Sequence, residues 1–204
     1  MFQNAYLKLD GDDTAELLAR VNPLLDTAPF RVDTATVLSV PVSFYPGYYY
    51  ADITHHGTLP ALSVKVVYNQ ARAVVMTSRN EPIYALNTSV PLSLTDSNVA
   101  DYVRFFFMHV RGQQGRFLII DMVDDINWKE DPAASARKAL AKMIVPLSVT
   151  GKTPEGSWKL SASMIFKDSL FQTQITVTPS GDVSLSDEEL LVESLPVLED
   201  TLGS

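Results

Sequence analysis

Apolar and polar residues alternate along the first half of the chain in a pattern that predicts β-strands. Short apolar runs are separated by Pro-Gly, His-Gly and Asn-containing breaks, which is typical of strands joined by turns. The runs are residues 37–44, 48–53, 62–68, 73–77 and 83–86. In the third run Ser63 and Lys65 interrupt the apolar face, so one side of the sheet should be wet and antiparallel pairing is favoured.

A second block of alternation begins near Trp158. Apolar residues alternate with polar ones over residues 158–166, and again over 171–177 after Lys167 and Asp168. Two alternating runs joined by a short polar segment predict a hairpin. Val183 and Leu185 extend this block into a meander after the turn at residues 179–182.

Helical spacing appears in three places. Asp13 and Glu16 have the form of a capping box before an apolar stripe that ends or kinks near Pro23. A longer aromatic-rich helix is predicted from Asp96 or Ser97 to Arg111, and another over residues 131–144 with Asp131 as its N-cap. We therefore expect one α+β domain over residues 1–204: a mainly antiparallel sheet in two sequence blocks, packed with two central helices and an N-terminal helix.

Composition narrows the class of protein further. The 204 residues are 46% hydrophobic and 20% charged, which is typical of a folded chain. The lack of cysteine excludes disulfides, zinc-thiolate sites, iron–sulfur clusters and thiol nucleophiles, and no cofactor is predicted. No apolar run approaches the roughly eighteen residues that span a bilayer. The first residues lack an export-signal pattern, so a cytoplasmic location is expected.

The negative charge is concentrated at the C-terminal end. The net charge is −8, yet residues 1–167 hold 16 acidic and 16 basic side chains. A nucleic-acid partner is not expected, because phosphate binding needs a basic surface. Ser186 and Glu189 resemble a capping box, and the leucines after them recur near helical spacing. Residues 187–204 are thus either an acidic segment that docks on a basic protein partner or a segment folded onto its own domain.

A cluster of aromatic residues is the first candidate binding site. Four rings surround the turn at Pro46, and two lie on the apolar stripe of the predicted central helix: Phe44, Tyr45, Tyr48, Tyr50, Tyr102 and Phe106. Such rings could stack on a sugar, a base or a proline. Tyrosines in strands more often fill the edge of a core while their hydroxyls stay wet.

Two groups of residues are candidates for a metal site. Asp121, Asp124 and Asp125 follow a predicted buried strand, where carboxylates could gather a hard cation such as Mg²⁺. The alternative is that they form a polar turn. His55 and His56 form the only adjacent histidine pair. In a continuing strand their rings point to opposite faces, whereas in a turn they could bind one ion.

Known catalytic sequence motifs are missing. There is no nucleophile elbow, no zinc-protease motif, no dinucleotide-binding glycine pattern and no kinase signature. No catalytic residue is assigned, and a non-enzymatic function is favoured over an enzymatic one. Three functions remain as hypotheses: a non-catalytic interaction or assembly domain with a protein partner or a second copy of itself, a carrier of a small apolar ligand, and a metal-assisted hydrolase using the acidic or histidine groups above.

Overall fold

Two antiparallel five-stranded sheets and four α-helices form residues 5–198, the part of the chain that the computed structural model describes. The α+β class is therefore confirmed. The chain divides into two units, Met1–Ser93 and Leu94–Ser204, and each contains one sheet. That the whole chain acts as a single domain stays a prediction.

The first unit is a meander in which each strand pairs with the next. Its elements are β1 (Leu7–Lys8), α1 (Gly11–Val21), β2 (Ala35–Pro41), β3 (Tyr49–His55), β4 (Leu62–Tyr68), β5 (Ala73–Met76) and α2 (Glu81–Ser89). The sheet order is β1-β2-β3-β4-β5, and every pairing is antiparallel.

Helix α1 covers one face of this sheet. Strand register places Val37, Ile53 and Val64 side by side on that face, as the alternation predicts. They join a buried cluster with Leu17 and Val21 of α1. The opposite face carries the ion pair of Asp52 and Lys65, directly across from each other on β3 and β4. The expected wet face is only partly wet, because Val40, Tyr50 and Val67, which pair further along the same face, are buried.

The start of α1 differs from the prediction. Asp10, not Asp13, is the N-cap: its Oδ1 accepts hydrogen bonds from the backbone N–H of Asp12 at 3.1 Å and of Asp13 at 2.9 Å. Gly11 is the first residue of the helix. Gly11 has no left-handed backbone angle, so the helix can begin directly after Asp10, three residues earlier than predicted.

The prediction of a strand over residues 83–86 is wrong, because these residues lie within helix α2. Pro82 occupies the first turn of this helix, where its missing N–H costs nothing. Ile83 and Leu86 are three residues apart, and both are buried. This is helical spacing, but a run of only four residues is too short for it to be distinguished from a strand.

The second unit consists of α3 (Val99–His109), β6 (Phe117–Ile120), α4 (Ala134–Ala141), β7 (Ser148–Lys152), β8 (Trp158–Phe166), β9 (Ser169–Val177) and β10 (Val183–Val192). Its sheet order is β10-β9-β8-β6. Strand β7 pairs with the first half of β8, and β6 pairs with the second half. The predicted hairpin is confirmed, because β8 and β9 pair in register from Trp158↔Val177 to Phe166↔Ser169.

Both faces of the second sheet contribute to a core. On one face Phe117 stacks on Phe166 at 4.5 Å, and Phe107 of α3 lies 6.5 Å from Phe117. On the other face Ile165 and Leu170 belong to a buried cluster that includes residues from the loops before and after the sheet. Helix α4 is shorter than predicted. Ala133 is at its N-cap position, so the predicted capping by Asp131 is wrong.

The N-cap of α1 generates a stability prediction. Asp10→Ala removes the acceptor for two backbone N–H groups, and we expect the free energy of unfolding to fall by about 1 kcal/mol. Asp10→Asn keeps an oxygen acceptor and should stay within a few tenths of a kcal/mol of the native chain. Urea denaturation followed by circular dichroism measures both. Equal stability of Asp10→Ala and the native chain would contradict the assignment of the cap.

Candidate functional site

The aromatic segment of the first unit is built into its core. Phe44 and Tyr45 are fully buried, and Tyr50 is 2% exposed. The hydroxyl of Tyr45 donates a 2.5 Å hydrogen bond to Oδ1 of Asn87 in α2. Gly47, with φ of 79°, completes the turn between β2 and β3. These rings therefore have a structural task that leaves no exposed face for stacking.

The two aromatic candidates on α3 are also buried, but in the second unit. The hydroxyl of Tyr102 donates a 2.6 Å hydrogen bond to the backbone oxygen of Gly181, and Tyr102 is fully buried. Phe106 is 5% exposed and contacts Phe107 edge to face. That the six aromatic residues line one ligand site stays a prediction.

The histidine pair lies where β3 ends, and its two rings have different partners. His55 stacks on Phe30 at 5.6 Å, on the face covered by α1. Nε2 of His56 lies 3.2 Å from Oγ1 of Thr36, a residue whose side chain points to the opposite face because its neighbours on β2 point toward α1. Within residues 5–198 there is no group of three or more His, Asp and Glu side chains placed to hold a metal ion.

The acidic run after β6 is spread over three separate contacts. Asp121 accepts a 2.6 Å hydrogen bond from Nη2 of Arg104 and a 2.9 Å bond from the backbone N–H of Leu147. Oδ2 of Asp125 accepts from the backbone N–H groups of Asp121 and Met122, both at 2.9 Å. Asp124 is paired with Arg137. Each carboxylate thus already serves a turn or an ion pair, which favours the turn interpretation over a shared cation.

Electrostatics support a structural task for Asp121. Burial raises the pKa of this carboxyl, but the hydrogen bonds from Arg104 and from the N–H of Leu147 lower the pKa more, and the net result lies below the ordinary value of 3.8. The contacts join the end of β6 to α3 and to the segment before β7. Asp121 is therefore held as a carboxylate that links three parts of the second unit.

The acidic C-terminal segment is a strand rather than a helix up to Val192. Strand β10 pairs with β9 from Val183↔Val177 onward, with β-bulges between Ser186 and Glu189 and again before Val192. Asp187, within the first of these bulges, has a φ of 52°, in the left-handed region. The prediction of a helix here is wrong. The bulges interrupt the strand alternation, and the leucines then recur near helical spacing. Residues 199–204 of the predicted docking segment lie outside the described residues.

Strand β10 leaves its acidic side chains exposed at the edge of the sheet. Asp187, Glu188 and Glu189 are all exposed, and no ion pair within residues 5–198 involves them. After the strand, Leu195 and Val197 are 8% and 3% exposed and belong to the core cluster. The segment therefore folds onto its own unit through its apolar residues and presents its charges outward.

Comparison of the chain with protein-family models, with curated proteins and with solved structures finds no match. None of the helices described is long and apolar enough to cross a bilayer.

The contacts of Asp121 predict which carboxylate matters for stability. Asp121→Asn removes the charge that pairs with Arg104, and we expect a loss of about 1–2 kcal/mol in the free energy of unfolding at neutral pH. Asp124→Asn breaks an ion pair in which the carboxylate is 73% exposed, so it should cost under about 0.5 kcal/mol.

The variant Asp121→Asn also tests how the stability of the protein depends on pH. Because the folded pKa of Asp121 is lowered, its contribution is fully present above about pH 4 and is lost as the pH falls through the folded pKa. The stability gap between the native chain and Asp121→Asn should therefore narrow below pH 4 in denaturation curves. Equal destabilisation by both variants, together with a rise in melting temperature on adding Mg²⁺ that both abolish, would instead indicate a shared metal site.

Proposed function

We propose that the chain is a non-catalytic protein-interaction or assembly domain that binds an extended basic segment of a partner along β10. The observation that supports the proposal is that β10 is an edge strand with three consecutive exposed acidic side chains, Asp187, Glu188 and Glu189. These side chains have no basic partner within residues 5–198.

An edge strand offers the affinity that such a domain needs. Strand β10 pairs with β9 on one side only, so over residues 184–192 its outer side has backbone N–H and C=O groups available to another chain. An extended peptide can add itself to such an edge through main-chain hydrogen bonds. The regular pairing of residues 183–186 with β9 keeps the first part of the edge in strand geometry.

The charges select the kind of partner. Three carboxylates repel another acidic strand, so a second copy of β10 is disfavoured at this edge. Lysine or arginine side chains on an added strand would instead lie near the carboxylates and form ion pairs that the described residues do not supply. Electrostatic complementarity of this kind sets specificity and speeds association. The partner is therefore expected to be an extended segment in which basic and apolar residues alternate.

Binding of a model peptide tests this proposal. A labelled peptide of alternating lysine and valine should bind the full chain in fluorescence anisotropy, with affinity that falls as salt rises. The variant Asp187→Asn/Glu188→Gln/Glu189→Gln should bind about tenfold more weakly, because three exposed ion pairs of a few tenths of a kcal/mol each are lost. Asparagine tolerates the left-handed angle at position 187, so the bulge is kept.

Two controls separate strand pairing from simple charge attraction. The variant Glu16→Gln/Asp26→Asn/Glu130→Gln changes the net charge equally at exposed positions that are not part of β10 and should bind normally. A peptide with proline in place of valine keeps the charges but cannot pair as a strand, and it should bind far more weakly. Equal binding of both peptides, or equal loss with both variants, would refute docking along β10.

A further inference from the structure

A small pocket in the second unit is distinct from the β10 edge. Its volume is about 170 Å³, and it lies beside β6 and the end of β8, under the loop that follows β6. Its floor is aliphatic, and its rim carries polar and charged groups. The floor consists of Leu118, Ile120, Ile126, Ile165 and Val197, and the rim includes Gln114, Arg116, Asp125, Asn127 and Lys167.

The floor is continuous with the hydrophobic core. Ile120, Ile126 and Ile165 are 1%, 4% and 3% exposed, and all belong to the core cluster on this face of the sheet. Leu118 and Ile165 are directly opposite each other in the pairing of β6 with β8. Because an apolar cavity of about 150 Å³ is large enough for a single six-membered ring, the pocket can take a compact branched or aromatic group.

The rim brings two cationic side chains to this apolar floor. The guanidinium of Arg116 is oriented by hydrogen bonds to the backbone oxygens of Phe107 and Met108. Lys167 occupies the turn between β8 and β9 with φ of 56°, and its Nζ lies 5.4 Å from the centre of the Phe166 ring. Lys167 forms no ion pair within residues 5–198. The acidic rim residue Asp125 is engaged through Oδ2 with two backbone N–H groups.

We propose that this pocket binds a small organic carboxylate that carries a compact apolar group of about six to ten non-hydrogen atoms. The apolar group occupies the aliphatic floor, and the carboxylate accepts hydrogen bonds at the rim from Lys167 and Arg116. An inorganic anion would leave the floor unfilled, and a neutral hydrocarbon would leave the exposed ammonium of Lys167 without an anionic partner among the described residues. A ligand with both parts matches the pocket, because charge-assisted hydrogen bonds are strongest beside surface that is removed from water.

Benzoate is a suitable probe, with benzyl alcohol and acetate as matched controls. Benzyl alcohol keeps the ring but lacks the charge, and acetate keeps the charge but lacks the ring. We expect benzoate to shift the NMR signals of the methyl groups of Leu118, Ile126 and Ile165 in a saturable way, with at least tenfold weaker binding of either control. Equal affinity for benzoate and benzyl alcohol, or no saturable shift at these methyl groups, would overturn the proposal.

Two variants locate the binding in the full chain. Lys167→Asn keeps a residue that tolerates the left-handed angle and should weaken benzoate about tenfold, which is the value of one hydrogen bond to a charged group. Lys142→Asn removes an exposed lysine at the end of α4 that does not line the pocket, and benzoate should bind as before. Equal affinity of Lys167→Asn and the native chain would contradict the assignment of the carboxylate to this rim.

Filling the floor supplies an independent check. Leu118→Phe occupies part of the pocket from a half-buried position, so benzoate binding should be lost while the circular dichroism spectrum is unchanged. Retained binding by the folded variant would place the ligand elsewhere. The pocket shares no residue with the three acidic positions of β10, so failure of the peptide experiment and failure of the benzoate experiment are distinguishable.

Discussion

The open edge of the second sheet is the constraint on which the proposed function depends. A sheet that does not close on itself ends on each side in a strand with unpaired backbone groups, and in this unit β10 forms one of the two edges. The chain meets the constraint with a left-handed residue at Asp187, a β-bulge and consecutive carboxylates. The carboxylates repel a like-charged strand and attract one of opposite charge, whereas the bulges limit regular pairing along the edge to the segments on either side of them.

The same sheet explains why charge and binding chemistry differ from one end of the unit to the other. At β10 the exposed side chains are acidic, whereas Arg116 and Lys167 lie near the junction of β6 and β8. The net charge of −8 for the whole chain therefore describes neither the acidic edge at β10 nor the region around Arg116 and Lys167. Because exposed charges act over about one Debye length of roughly 8–10 Å, a ligand or partner responds to the charges beside it rather than to the sum over the chain.

Regular alternation of apolar and polar residues makes most strands of the sheets predictable. Where the pattern is short or interrupted, strand and helix cannot be distinguished from the sequence. Strand alternation over residues 158–177 gives the correct hairpin, and over residues 62–68 it gives a strand with antiparallel neighbours, because a strand with one buried face has a well-defined register. The run 83–86 covers little more than one helical turn, so its period is ambiguous. In β10 the bulges shift the phase of the apolar residues, and the leucines after position 189 then imitate helical spacing.

Candidate sites were harder to predict, because residues clustered in sequence are separated in space by their contacts. Asp121, Asp124 and Asp125 lie within five positions, yet Arg104, Arg137 and the backbone of their own turn engage them separately. The pocket shows the reverse case. Arg116, Ile126, Lys167 and Val197 come from distant parts of the sequence, and only strand pairing and the return of the C-terminal segment bring them together. Chemistry assembled by long-range packing leaves no local motif, so its detection depends on the fold.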